Sequence, residues 1–152
     1  MHFVNNEEFE KTSEQNVNDN VVDLEERKNT NREFFAFWNV DGESYRLKLT
    51  TPKITELESR YKCNLISLMG DSDRLPSLTT MLQVTHAAME PWAHGIKLKN
   101  VESIYDKYIA SGGSMLQFYV EVFMKIYNVS GFFSHSMAED MDDAVEKLSG
   151  NM

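Results

Sequence analysis

Residues 115–127 leave the fold few options, because their side chains are apolar around almost the whole circumference of a helix. Only Gln117, Glu121 and Lys125 interrupt the apolar residues, and their spacing of four places them in one narrow stripe. Other elements have to cover a helix of this pattern on most sides. The sequence therefore predicts a buried central helix near residues 115–128, with the rest of the fold built around it.

Two extended runs upstream flank a turn dipeptide, Asp41-Gly42. The first run, residues 34–40, is largely aromatic, and in the second run Tyr45, Leu47 and Leu49 alternate with polar residues. Two such runs around Asp-Gly predict a β-hairpin. An isolated hairpin is only marginally stable, so we expect it to pack against another element.

Helical periodicity dominates after residue 50. Capping residues and proline or glycine breaks divide this part of the chain. Trp92 is expected on the buried face of the second helix, together with Met81, Thr85 and Met89. The expected helix starts are Thr51 (followed by Pro52), Ser77, Asn100, Ser114 and Ser136, and the expected breaks are Pro91, Gly112-Gly113 and Gly131.

The fold class expected from these patterns is α+β and mostly α, an N-terminal β-hairpin followed by a bundle of about five helices. Charge divides the 152 residues, whose formal net charge is −9. Residues 1–33 are expected to be an acidic disordered arm, because they are rich in Asn and Glu and poor in apolar residues. Residues 34–134 form the expected globular domain, and residues 135–152 an amphipathic acidic C-terminal helix.

Charge and hydropathy argue against two classes of partner. The negative charges concentrate at the two ends and Lys and Arg do not cluster, which argues against a nucleic-acid partner. The densest apolar stretch falls short of the ~20 residues needed to span a bilayer, which argues against a membrane partner. The only cysteine is Cys63, which suits a reducing compartment and is interpreted as a buried, inert thiol.

No arrangement of side chains in the sequence predicts catalysis, and we expect no enzyme activity. His86, Glu90 and His94 are spaced four apart, but Pro91 interrupts the helix that would bring them together. The cluster of Ser134, His135 and Ser136 lacks a nucleophile-elbow motif. No phosphate-binding glycine motif is present. We therefore expect no catalytic residue, no cofactor and no metal.

The most promising candidate for partner binding is the start of the C-terminal helix and the segment before it. Methionine suits adaptable surfaces that repack around a partner, and the chain has nine methionines. An equally open alternative is that this helix folds back onto the domain's own core. The candidate partner-binding residues are Phe132, Phe133, Met137, Met141, Val145 and Leu148.

Several short motifs follow one another from about residue 34 to residue 134. They are the aromatic hairpin leading into Leu47-Lys48-Leu49-Thr50-Thr51, an Ile54-x-x-Leu57-Glu58 helix with Asn64-Leu65 after it, Leu75-Pro76-Ser77-Leu78, His86-Ala87-Ala88-Met89, His94-Gly95-Ile96-Lys97-Leu98, Tyr105-Asp106-Lys107-Tyr108, Gly112-Gly113-Ser114 and Val129-Ser130-Gly131-Phe132-Phe133. Their order and spacing resemble the tail assembly chaperones of long-tailed (siphovirus-type) phages and prophages of Gram-positive bacteria. Each motif is weakly specific alone. The acidic arm of residues 1–33 is longer than this family leads us to expect.

This resemblance implies a non-enzymatic assembly factor. Such chaperones bind the tape measure protein, keep it soluble and promote assembly of the tail tube around it, so the implied partners are the tape measure protein and the tail tube protein. The implied location is the bacterial host cytoplasm, with absence from the mature virion, and a homo-oligomer is possible. The competing hypotheses are an acidic phage-encoded inhibitor that mimics DNA and an adaptor protein.

Overall fold

The computed structural model describes residues 33–71 and 73–150. The chain divides into two units between Glu33 and Phe34, and every element below belongs to the second unit. Except for Glu33, the acidic arm predicted for residues 1–33 lies outside the described residues. The strands are β1 (Ala36–Val40) and β2 (Glu43–Leu47), and the helices are α1 (Thr51–Tyr61), α2 (Leu78–Met89), α3 (Leu98–Ala110), α4 (residues 115–129) and α5 (His135–Gly150), with 3-10 segments at Leu65–Met69 and Glu90–Trp92.

The structure confirms the predicted fold class, a two-stranded antiparallel hairpin followed by helices. Asp41 and Gly42 both have positive φ, 52° and 81°, as a two-residue type I′ turn requires. The register pairs Ala36 with Leu47 and Trp38 with Tyr45. Alternation along the pleat sends Ala36 and Trp38 into the core, where each is at most 4% exposed.

The inner face of the hairpin packs against the helices, as expected because an isolated hairpin is only marginally stable. β1 lies against α3 and α4, and β2 lies against α2. The Trp38 ring sits 5.1 Å from Phe118 and 5.9 Å from Tyr108, centroid to centroid. The backbone N–H of Leu49 donates to Ser130 Oγ at 3.0 Å, so the end of the hairpin is bonded to the end of α4.

Helix α4 is the buried centre of the fold, as the sequence predicts, although its first turn is more open than expected. Phe118, Phe123 and Tyr127 are fully buried, whereas Met115 is 37% exposed and Leu116 47%. The predicted burial therefore begins at Phe118, and within it Glu121 of the polar stripe is exposed.

A π-helical turn interrupts α4, which the sequence did not predict. The helix consists of Met115–Phe118, the π segment Tyr119–Phe123, and Met124–Val129. An α-helix completes two turns in about 7.2 residues, so side chains eight apart drift off one face. The additional residue of a π turn compensates for that drift, and brings Tyr119 and Tyr127 to the same side.

Both tyrosines use that alignment to hold the 3-10 segment Leu65–Met69. Tyr119 donates its hydroxyl to the Met69 carbonyl at 2.8 Å, and Tyr127 donates to the Leu65 carbonyl at 2.7 Å. The predicted short turn after Asn64 is present, with the Asn64 side chain accepting from the Ile66 N–H at 2.9 Å. The turn is thus attached at both ends to the central helix.

Two of the expected helix starts are confirmed, since Ser77 and Ser114 accept from the backbone three residues on. The expectation for α1 was wrong by one residue, because Thr50 accepts from the Lys53 N–H at 3.4 Å and Thr51 is the first helical residue.

The expected starts of α3 and α5 were also wrong. α3 begins at Leu98, and the Asn100 side chain reaches back to accept from the Lys97 N–H at 2.8 Å. For α5, Ser134 accepts from the Met137 N–H at 3.4 Å, in place of the predicted Ser136. At α3 the N-cap position is Lys97, and Asn100 bonds back to it from the third helical position. At α5 two serines are able to cap, and the first of them does so.

Candidate functional site

The aromatic residues of the predicted partner-binding patch lie partly against the core. Phe132 and Phe133 are half-buried and pack against the hydrophobic core, and the Phe132 ring is 4.8 Å from the Tyr127 ring. Met137 is 54% exposed. The side chains of Met141, Val145 and Leu148 lie outside the described residues. Of this patch, Met137 is the residue that presents an open apolar side chain in the described structure.

Helix α5 lies along α4, next to its segments Tyr119–Phe123 and Met124–Val129. This path is the one expected if the terminal helix folds back onto the domain, which was the alternative left open by the sequence. Partner binding through the C-terminal patch stays a prediction.

The histidine and carboxylate triplet does not converge. His86 Nε2 donates to the Ile96 carbonyl at 2.8 Å and lies 3.8 Å from Glu90. Glu90 also pairs with Lys53 at 3.1 Å, while His94 is exposed. His86 and Glu90 thus join α1, α2 and the connector before α3. Within the described ranges, no group of three His, Cys, Asp or Glu side chains could hold a metal ion.

The cluster Ser134-His135-Ser136 and the single cysteine, Cys63, were the other candidates considered from the sequence. Ser134 caps α5, and its hydroxyl lies 3.4 Å from that of Ser136. Cys63 is half-buried rather than buried as interpreted, because it follows the left-handed end of α1 at Lys62, where φ is 55°.

A cluster of aromatic and basic side chains covers the outer face of the hairpin, and we name it the hairpin aromatic surface. Two rings are open to solvent, with Phe34 72% and Phe37 52% exposed. Phe35 lies at the centre, with ring centroids 4.9 Å from Phe34, 6.5 Å from Phe37 and 4.9 Å from Trp92. The surface consists of Phe34, Phe35, Phe37, Arg46, Lys48 and Trp92.

The two cations of this surface lie over its rings. The Arg46 guanidinium is 4.7 Å from the Phe35 centroid, and the Lys48 ammonium is 4.0 Å from the Phe34 centroid. Such contacts contribute about 0.5–1 kcal/mol each at exposed sites. Arg46 is placed by its register opposite Phe37, so the cross-strand pair lies on the face opposite Trp38.

Trp92 reaches this surface because Pro91 diverts the end of α2. The helix ends at Met89 and a 3-10 turn follows, Glu90–Trp92. The indole N–H donates to the Lys48 carbonyl at 3.1 Å, which fixes the ring beside the hairpin. Trp92 is 38% exposed, so the prediction that it faces the core with the rest of α2 was wrong.

A recess of about 450 Å³ opens between the hairpin and the end of α2. Phe37, Arg46 and Trp92 line it together with Tyr45, and the fully buried Met89 forms part of its floor. The Tyr45 hydroxyl donates to Glu43 at 2.9 Å. Burial raises the pKa of Tyr45, and the bond to Glu43 raises it further. This phenol is therefore neutral at physiological pH and offers a hydrogen-bonding edge.

Sequence reasoning did not identify this surface, although two signals for it were present. Both faces are apolar at the start of β1, since Phe35, just before the strand, and Phe37 alternate with Ala36 and Trp38. A two-stranded sheet covered by helices on one face leaves the other face open. The second signal was Pro91, which removes Trp92 from the buried side of α2.

The second unit has no helix, within the residues described, that is both long and apolar enough to cross a membrane. Comparisons with curated proteins and with solved structures found no match. A protein family does match, over residues 39–147, a stretch that contains β2, helices α1 to α4 and most of α5. The match covers most of the chain, and the chain therefore belongs to the family described as Family of unknown function (DUF6096).

Proposed function

We propose that this protein is a phage tail assembly chaperone that binds the tape measure protein, keeps it soluble and promotes assembly of the tail tube around it. The resemblance of residues 34–134 to such chaperones supports the proposal. So does the hairpin aromatic surface, the observation on which the proposal depends most. Large open aromatic rings on a small domain are typical of a surface that binds other proteins.

The mode of action in this proposal is binding rather than catalysis. A tape measure protein is long, helical and patterned with hydrophobic residues, and it needs its apolar faces covered until the tube forms around it. Apolar grooves receive amphipathic helices through side chains spaced three and four apart. The acidic C-terminal segment would add negative charge to the complex and so favour its solubility. The chaperone acts in the host cytoplasm, also contacts the tail tube protein, and is absent from the mature virion.

Co-expression tests the binding step. The full chain, carrying an affinity tag, is expressed with the tape measure protein of the same phage or prophage. We expect the soluble fraction of the tape measure protein to rise and the two proteins to elute together. An insoluble tape measure protein and an empty eluate, with the tagged chain folded by circular dichroism, would refute the proposal.

A second experiment tests the assembly role. Phage are grown with and without the gene, and purified virions are analysed by mass spectrometry. Loss of the gene should abolish complete tails, and wild-type virions should lack the protein that the lysate contains. The variant Met137→Ser, made in the same background, tests whether the C-terminal patch contributes to binding.

A further inference from the structure

We propose that the hairpin aromatic surface is the docking site for the tape measure protein, the client of the proposed chaperone. We propose that the segment of the client that binds there is an acidic amphipathic helix. This inference rests on the proposed function for the identity of the client, and on the chemistry of the surface for the kind of segment that binds. It names a different site from the C-terminal patch predicted from the sequence.

The apolar half of the recognition comes from a preformed row of rings. Phe34, Phe35 and Phe37 follow one another at centroid separations of 4.9 and 6.5 Å. Trp92 extends the row and is held by its bond to the Lys48 carbonyl. The recess beside Phe37 offers space for an inserted aliphatic side chain. Because the rings are positioned before binding, little side-chain freedom is lost when a partner docks.

The charged half comes from Arg46 and Lys48, the cations that lie over these rings. Two carboxylates near the surface are engaged elsewhere, since Glu43 accepts from Tyr45 and Glu90 pairs with Lys53. In the ion pairs found among the described residues, neither Arg46 nor Lys48 takes part. Two cations beside an apolar row are complementary to a helix with carboxylates flanking its apolar face.

Charge favours an acidic helix over a nucleic acid, which aromatic and basic surfaces also bind. A nucleic-acid strand presents one phosphate at every step, and affinity then depends on many Lys and Arg contacts. This surface supplies two cations on a chain of formal charge −9. A helix needs only two well-placed carboxylates to match the two cations.

The experiment measures fluorescence anisotropy of three labelled peptides of about 18 residues with the full chain. The first carries leucines at helical spacing flanked by glutamates, the second replaces the glutamates with lysines, and the third scrambles the leucines. We expect the first to bind at least about tenfold more tightly than either of the others. Equal binding of the lysine peptide, or tighter binding of a labelled single-stranded oligonucleotide, would overturn the proposal.

Matched variants locate the site. The double variant R46Q/K48Q should weaken binding of the glutamate peptide about tenfold and reduce its dependence on salt. The double variant K99Q/K107Q changes the net charge equally on the exposed side of α3 and should leave binding unchanged. Phe37→Ser should weaken binding, whereas Ile109→Ser, at a side chain 41% exposed, should not. Equal effects of the two members of either pair would contradict this location.

The same variants separate this inference from the proposed function. If the tape measure protein co-purifies with the wild-type chain and equally with R46Q/K48Q, the docking site is wrong and the chaperone function stands. If the wild-type chain binds the glutamate peptide but not the tape measure protein, the chaperone function fails and the surface chemistry is retained.

Discussion

The hydroxyl of Tyr127 donates a 2.7 Å hydrogen bond to the backbone carbonyl of Leu65, 62 residues earlier in the chain. Both residues are fully buried, so removing the hydroxyl leaves a carbonyl with one partner fewer and no access to water. We expect Tyr127→Phe to lower the free energy of unfolding by about 1–2 kcal/mol. Urea denaturation followed by circular dichroism measures the change.

Tyr45→Phe is the control for this prediction, because the Tyr45 hydroxyl donates to Glu43 where water is accessible. The free energy of unfolding of Tyr45→Phe should therefore be close to that of the wild-type chain. Equal losses for the two variants would mean that the bond to Leu65 does not stabilise the central helix.

Alkaline pH should destabilise the fold through its buried tyrosines. Burial raises the pKa of Tyr108 from 10.0 to about 12, with Glu121 and Tyr105 contributing, and burial also raises the pKa of Tyr127. Between pH 10 and 12 the unfolded chain therefore holds fewer protons than the folded chain, and the free energy of unfolding falls as pH rises. Below pH 10 these tyrosines are protonated in both states, and their contribution to the stability of the folded chain is fully present.

Ultraviolet absorbance of tyrosinate measures this effect. Burial raises the pKa of all six tyrosines, so the titration of the folded chain should lie above pH 10. Tyr108 and Tyr127 should ionise last, together with unfolding. A single transition near pH 10 with the circular dichroism signal intact would contradict the prediction.

Gly113 is required because the Tyr108 ring occupies the space of a β-carbon. A Cβ at Gly113 would lie 2.5 Å from Tyr108 Cε2, and that ring is confined by Trp38 and Phe118. We expect Gly113→Ala to lower the free energy of unfolding by about 2–3 kcal/mol, as overpacking of a filled core does. Gly42→Ala is the control, since it meets no atom within 4 Å and should cost about 1 kcal/mol from its positive φ.

The start of α1 can be tested with two adjacent threonines. Thr50 Oγ1 accepts from the Lys53 N–H, whereas Thr51 is the first helical residue. Thr50→Ala should lower the free energy of unfolding by about 1 kcal/mol, and Thr51→Ala should leave it nearly unchanged. The reverse order in thermal denaturation would restore the boundary predicted from the sequence.

The hairpin could be predicted from sequence because its signals are local. The Asp41-Gly42 turn and the alternation of side chains specify the strands without reference to other elements. The π turn at Tyr119–Phe123 could not be predicted from local sequence. Tyr119 and Tyr127 bond to carbonyls 50 and 62 residues earlier in the chain, and tertiary packing decides where that segment lies against α4.

The candidate site was harder to predict for a related reason. The sequence shows that Phe37 and Trp38 alternate, but it does not show which of the two faces the helices cover. Trp92 illustrates the same limit, since its spacing matches the buried face of α2 and only the turn after Pro91 removes it. Placement of an aromatic residue at a surface is decided by tertiary contacts.

The bond between the Leu49 N–H and Ser130 Oγ has a consequence for synthesis on the ribosome. The hairpin leaves the ribosome long before α4, the helix that covers β1, has been made. At about 5–20 residues per second, the roughly 80 intervening residues take about 4–16 s. During that interval the nascent hairpin lacks its central partner, and its exposed rings are open to premature association.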